Sequence, residues 1–225
     1  MPAAGLSTRF PNMRPKYMLT DNTGKMMFEK SLAPYLGKYH ITMGILQQHQ
    51  DEYQIADYVK KEYSNVINII ILPSLTKGPA DTVNQIINQA GISGEILIRD
   101  CDSFFDHEPQ EGNYVCVSDI QDHDILKRLS SKSFVVVNNQ GILTSIKEKQ
   151  VISSKFCVGG YKFEEADLFT RTFEKLIAWH DKEIFVSHII EDNLNNLHIF
   201  KENLVTNYID VGTAEDWLDY NKVNN

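Results

Sequence analysis

Apolar side chains recur along this chain in two rhythms. Residues 39–46 alternate and are rich in β-forming side chains, and residues 66–72 (Val-Ile-Asn-Ile-Ile-Ile-Leu) form a nearly unbroken apolar run. Both predict strands, the second one buried. Residues 26–36 carry Met27, Phe28, Leu32 and Leu36 near helical spacing, and residues 49–63 place Tyr53, Ile55, Ala56 and Tyr58 to one side, so both predict helices. Residues 16–20 read as a short extended piece and Asp21-Asn22-Thr23-Gly24 as a turn. Pro79 suits the first turn of a helix over 79–90. Residues 95–99 predict a strand that runs into Asp100-Cys101-Asp102.

The second half is less regular. Residues 114–120, 134–138, 142–146 and 155–163 predict strands, with Asn138-Asn139-Gln140-Gly141 as a hairpin turn. Residues 164–179 and 184–194 predict helices, and 203–211 an extended stretch. Thr213 is placed to cap a last helix, with Asp216 at its third position. Strands that alternate with helices predict an α/β fold: one domain with a mixed, mostly parallel sheet flanked by helices. Ligands in such folds bind beyond the carboxyl ends of the strands. The opening loop, the loop holding Gly78 and residues 100–102 are therefore expected on one rim.

A chain of 225 residues fits one domain and buries roughly 70–75% of its unfolded surface, so it needs no disulfide or metal to fold. Cys101, Cys116 and Cys157 are widely spaced, which fits reduced thiols and a cytoplasmic protein. There is no apolar run of membrane-spanning length. Thirty acidic against 22 basic residues give a net charge of -8, which argues against nucleic acid or anionic membrane as partner. His40, His49, His107, His123, His180, His188 and His198 show no metal-ligand spacing and read as surface or core residues. Ser7 lacks the G-x-S-x-G context of a hydrolase nucleophile.

Against that acidic background, residues 1–16 stand out. Ala3, Ala4 and Gly5 leave room for a flat ligand. Leu6, Ser7 and Thr8 continue a loop whose N–H groups can face phosphate oxygens, and Arg9, Arg14 and Lys16 add fixed cations. On composition alone this is either a triphosphate cradle or a solvated basic loop. Likewise Asp100-x-Asp102 is either a Mg²⁺ site, which needs one or two carboxylates plus phosphate oxygens, or a solvated turn.

The order Ala3-Ala4-Gly5-Leu6-Ser7-Thr8-Arg9, followed by Pro15-Lys16, resembles the N-terminal A-A-G-x-x-(S/T)-R…P-K signature of the sugar-phosphate-type nucleotidyltransferases. The family normally carries a short hydrophobic strand before this signature, and here only Met1 and Pro2 precede it: either the strand is unusually short or the numbered chain has lost a few residues. Ile209-Asp210-Val211-Gly212-Thr213 resembles the same family's D-x-G-T element before a C-terminal helix. Lys77-Gly78-Pro79-Ala80-Asp81-Thr82-Val83 resembles its G-x-A-x-x-V base-contacting segment. Glu148-Lys149 resembles its E-K-P element, with Gln150 in place of Pro. Val158-Gly159-Gly160-Tyr161 resembles its small-residue strand at the acceptor site, and reads equally as a tight packing spot.

The resemblance implies a nucleotide-diphospho-sugar transferase fold with a small acceptor-binding lobe. Residues 1–110 would mainly bind nucleotide and residues 111–225 mainly the acceptor. It implies Mg²⁺ on Asp102 and Asp210, with Asp100 a neighbour, and nucleotide at Ala3 to Thr8, Gly78 and Thr82. Arg9, Lys16 and Lys149 would act on the phosphates, and Glu148 and Gly160 would meet the acceptor. The implied partners are a nucleoside triphosphate and a small phosphorylated acceptor, and the last helices leave room for a homodimer. Chain length is similar to that of small cytidylyltransferases that activate non-sugar phosphates. The sequence also resembles the cytidylyltransferases of bacterial capsule synthesis, and that resemblance implies CTP as donor and L-glutamine phosphate as acceptor, in capsule or cell-surface polysaccharide synthesis. A sugar or heptose 1-phosphate acceptor is the alternative within the family. A metal-dependent glycosyltransferase of related fold is the alternative outside it, although that class does not need Arg9 and Pro15-Lys16.

Overall fold

The two apolar runs of the first half pair in parallel as β1 (Ile41–Leu46) and β2 (Ile67–Leu72), from Ile41 opposite Ile67 to Leu46 opposite Leu72. In the computed structural model, which describes residues 1–122, 126–179 and 182–223, Pro2 bridges to Gly44 in parallel. The Ala3 amide donates to Gly44 O at 2.9 Å, and the Gly44 amide to Met1 O at 3.1 Å. These two bonds anchor the opening loop to β1. His123 and His180, read above as surface or core residues, lie outside the described residues.

Around this pair sit α1 (Met27–Leu32), α2 (Gln47–Tyr53) and α3 (Ile55–Glu62). The single helix expected over 49–63 is two helices, broken at Gln54, whose φ is 52°. The Gln50 side chain accepts from the Ala56 amide at 2.8 Å and so starts α3. The break lets α2 lie against β1 while α3 lies against β2, which one straight helix would not do. Residues 16–20 are not extended: Lys16–Met18 form a 3₁₀ turn that buries Tyr17 and Met18. Its cause is Pro15, whose carbonyl accepts from the Met18 amide at 2.9 Å. The helix expected over 26–36 gives way after Leu32 to a 3₁₀ turn, Ala33–Tyr35, because Pro34 offers no N–H.

Beyond α4 (Pro79–Ala90) the chain forms β3 (Ile96–Arg99), β4 (Ser103–Asp106), β5 (Asn113–Asp119), β6 (Ser133–Val137), β7 (Leu143–Glu148) and β8 (Lys155–Phe163). Then come α5 (Ala166–Ile177), α6 (Val186–Asn195), β9 (Phe200–Leu204), β10 (Thr206–Asp210) and α7 (Ala214–Val223). The main sheet runs β7-β6-β8-β5-β9, with β3 also on β8. The sheet is mixed, as expected, but its parallel share is smaller than expected. Among the described strands, β1–β2 and β5–β9 are parallel, and β3–β8, β5–β8, β6–β7 and β6–β8 are antiparallel. Parallel neighbours need crossovers of a dozen residues or more, and the hairpin at 138–141 allows none.

The stretch expected to be extended over 203–211 holds β9 and β10, which belong to different sheets. β10 pairs antiparallel with β4, which sets Asp210 opposite Ser103. One core packs Phe28, Met43, Ile45, Val59 and Ile67 around β1 and β2. A second packs α4, α5 and α6 on the main sheet through Val83, Ile98, Val115, Phe163, Phe169 and Ile189. Among the described residues, no helix is long and apolar enough to cross a membrane.

Candidate active site

The opening loop, the Gly78 loop and residues 100–103 converge on a cavity of about 650 Å³, whose far wall is built from residues 131–133, Glu148, Gly159, residues 182–183 and 185–187, and Asp210. The volume lies within the ordinary range for small-molecule sites.

Its chemistry centres on two carboxylates. Asp102 accepts from Lys16 Nζ at 2.6 Å and lies 3.4 Å from Arg9 Nη2. Burial pushes its carboxyl up, but Lys16 and Arg9 overcome that and hold it well below the usual carboxylate range. Burial likewise works against the Lys16 ammonium, and Asp102 more than offsets it. Asp210 pairs with Lys132 Nζ at 2.5 Å and accepts from the Gly212 amide at 2.9 Å. A Cβ built on Gly212 would stand 2.9 Å from Asp210 Oδ1, 3.3 Å from Arg9 Nη1 and 3.4 Å from Asp102 Oδ2. The two acids and the arginine therefore face one point.

The backbone that carries Asp102 is fixed by Arg99. This buried guanidinium donates to Ser103 Oγ at 2.9 Å and Ser103 O at 2.6 Å, and lies 3.7 Å over the Phe105 ring. The Asp100 carbonyl accepts from Ser31 Oγ at 2.8 Å. Burial first, then repulsion from Asp102, pushes the Asp100 carboxyl up to about 6. Burial also raises the Cys101 thiol to about 12, so this free cysteine is no nucleophile.

Ala3, Ala4, Gly5, Leu6, Ser7 and Thr8 all line the cavity. Ser7 takes a φ of 53°, and its Oγ accepts from the Lys16 amide at 2.9 Å, folding the loop back on itself. Gly78 and Thr82 also line it. Gly78 has a φ of 131°, and a Cβ there would stand 2.6 Å from Glu183 Cγ and 3.0 Å from Ile184 O. Only glycine suits that position. Thr82 is buried, with its Oγ1 2.7 Å from Thr76 Oγ1.

Two residues fall elsewhere than the motif comparison implied. Lys149 is not in the cavity wall, and its Nζ sits 4.2 Å over the Phe185 ring. Lys149 follows the end of β7 with a φ of 56°, and the Phe185 ring it covers does line the cavity. Gly160 packs against the opposite face: a Cβ there would meet Cys116 Sγ at 2.8 Å and Phe105 at 2.9 Å. The glycine in the wall is Gly159, with a φ of 88° and a virtual Cβ 2.7 Å from Asp100 Oδ2.

Glu148 does line the cavity and accepts from both Ser133 and Ser187. Sequence reasoning missed Lys132, Lys182, Ser133 and Ser187. They belong to no motif, and tertiary folding alone brings them to the wall. Among the described residues, no group of three or more His, Cys, Asp or Glu could hold a metal by itself.

No family profile and no curated protein sequence matches the chain. Solved structures do. A nucleoside-diphosphate-sugar pyrophosphorylase from Vibrio cholerae RC9 is 19% identical, covering 98% of each chain with a TM-score of 0.82. An inositol-1-phosphate CTP transferase from T. maritima is 14% identical over 96% of this chain and 89% of its own, with a TM-score of 0.75. HddC from Yersinia pseudotuberculosis, solved with GMP-PN, is 17% identical over 100% and 97%, with a TM-score of 0.65. With its strand order, its rim cavity and these likenesses over the full length, the chain has the α/β fold of the nucleotide-diphospho-sugar pyrophosphorylases and nucleotidyltransferases.

Proposed function

We propose that this protein is a cytoplasmic, Mg²⁺-dependent cytidylyltransferase that moves CMP from CTP to a small phosphorylated acceptor, with L-glutamine phosphate the foremost candidate. The observation that carries this reading is the convergence of Asp102, Asp210 and Arg9 on one point beside Lys16. Two carboxylates facing one point, each now paired with a lysine ammonium, suit Mg²⁺, which completes its shell with phosphate oxygens and water. Bound there, the ion would supply charge stabilisation at the α-phosphoryl group.

In the reaction, an oxygen of the acceptor phosphate attacks the α-phosphorus in line. The bond to the β-phosphate breaks, and pyrophosphate leaves. The protein positions the reactants and stabilises charge. Lys16, held against Asp102, faces the α-phosphoryl group. Arg9, whose side chain is 52% exposed, is free to fork onto the leaving pyrophosphate. The opening loop and Gly78 serve the nucleotide in the first half of the chain. Glu148, with Ser133 and Ser187, forms a polar corner in the second half that suits an acceptor bearing an ammonium or amide.

The T. maritima likeness, an inositol-1-phosphate CTP transferase, supports CTP as donor. The Vibrio likeness, a nucleoside-diphosphate-sugar pyrophosphorylase, favours a sugar 1-phosphate acceptor as the second reading.

The test is thermal unfolding with Mg²⁺ and each of CTP, UTP, dTTP, GTP, ATP and UDP-glucose, followed by pyrophosphate release with glutamine phosphate, phosphocholine and glucose 1-phosphate. A triphosphate at about 100 times its Kd adds roughly 2.7 kcal/mol, or about 5–10 °C. CTP is expected to give that shift and glutamine phosphate to release pyrophosphate. A shift with UDP-glucose and none with any triphosphate would point instead to a glycosyltransferase.

A further inference from the structure

Lys132 stands where the second-half wall of the cavity reaches Asp210. Its side chain is 15% exposed, and its Nζ lies 2.5 Å from Asp210 Oδ2 and 2.9 Å from the Tyr208 hydroxyl. Tyr208 is buried, and its ring packs edge-on against Phe156 at 5.5 Å, so this end of the contact is rigid. A lysine ammonium has three donors, and one remains beyond these two partners. Lys132 is flanked in the wall by Ser131 and Ser133, and Ser133 donates to Glu148. The lysine thus belongs to the Glu148 side of the cavity, whereas Arg9 and Lys16 come from the opening loop.

Asp102 and Asp210 are each neutralised by a lysine, from opposite sides of the cavity. A divalent cation held by both carboxylates, even through Asp210 Oδ1, which faces Asp102, competes for Asp210 with the ammonium now on its Oδ2. An ammonium freed there, on a side chain anchored beside Ser133, has an anion as its natural new partner. The expected phosphate lysine, Lys149, does not itself line the cavity, and its Nζ covers Phe185, which does.

We infer that Lys132 is the residue that binds the acceptor's phosphate: it holds Asp210 while no cation is bound, and turns to the phosphate when a cation takes its place. The inference rests on the nucleotidyltransferase reading for the word acceptor, but not for the exchange itself. It makes cation and phosphate binding cooperative through one side chain.

The experiment is calorimetric titration of Mn²⁺ alone, inorganic phosphate alone, and phosphate at saturating Mn²⁺, on the full chain and on Lys132→Met and Lys149→Met. In the unaltered protein, Mn²⁺ is expected to tighten phosphate by at least about fivefold, the low end of ordinary coupling. Lys132→Met is expected to bind Mn²⁺ at least as tightly, to bind phosphate about tenfold more weakly, and to lose most of the coupling. Lys149→Met should match the unaltered protein. Lys132→Gln, which keeps a donor for Tyr208 and Asp210, serves if the methionine variant does not fold. Unchanged phosphate binding and coupling in the Lys132 variants, or their loss in Lys149→Met, would overturn the inference. Pyrophosphate release by the unaltered protein is measured in parallel. If it is absent with every triphosphate and acceptor, the nucleotidyltransferase reading fails, while the titrations still decide the role of Lys132.

Discussion

Lys16 is tied to the chemistry through a single short contact, 2.6 Å to Asp102. Lys16→Ala should lower kcat by roughly 10²–10³, the scale of one lost electrostatic donor in a preorganised site. Turnover near that of the unaltered protein would refute its role. Asp21 tests a different kind of anchoring. Its carboxylate accepts from Lys30 Nζ at 2.8 Å, the Thr23 amide at 2.9 Å, the Thr23 hydroxyl at 2.7 Å and the Lys25 amide at 3.0 Å. Burial raises its pKa, these donors lower it further, and the net value falls to about 2. A depressed carboxylate stabilises the fold above its unfolded pKa, and that contribution is lost as pH falls from about 4 towards 2. Asp21→Asn should therefore cost on the order of 2 kcal/mol at pH 7, with the gap narrowing at pH 3. Urea midpoints of both proteins at the two pH values check this. An equal gap at both would show that the side chain acts by shape rather than charge.

At the scale of elements, α7 is the fastener of the opening loop. Trp217 packs with Phe10, Leu19, Met27 and Val211, and the Ala214 amide donates to Arg9 O at 3.2 Å. Trp217→Ala should cost about 3–5 kcal/mol, the usual penalty for an emptied aromatic core position. It should also weaken pyrophosphate release, because the strut behind Arg9 goes. Chemical denaturation and turnover measured on one preparation would show both effects, and intact turnover would uncouple α7 from the site. This helix was legible in the sequence. Thr213 caps it, with Thr213 Oγ1 accepting from the Asp216 amide at 3.2 Å. The bounds of α4 and β8 were legible too, since Pro79 opens one and a long, mostly apolar run makes the other. The break at Gln54 was not, because it answers to which strand each helix must cover. Nor was the division of labour between Gly159 and Gly160, which depends on the way one strand turns.

At the scale of the whole molecule, local alternation revealed that strands and helices form layers, but it overstated how many strands run parallel. Direction is set by crossover length and hairpins rather than by apolar pattern. The same limit applies to the cavity. The opening loop and Asp102 carry recognisable motifs. Lys132 carries none, because its importance comes from β4 and β10 setting Asp210 beside it.

The hold of α7 on the opening loop also has a consequence during synthesis. Arg9 and Ala214 are 205 positions apart, so on a ribosome the loop waits on the order of 10–40 s for its fastener to be made. Throughout that interval Phe10 and Met27 have no Trp217 to cover them. The nascent chain therefore presents an apolar patch and an unsecured basic loop until translation passes residue 217.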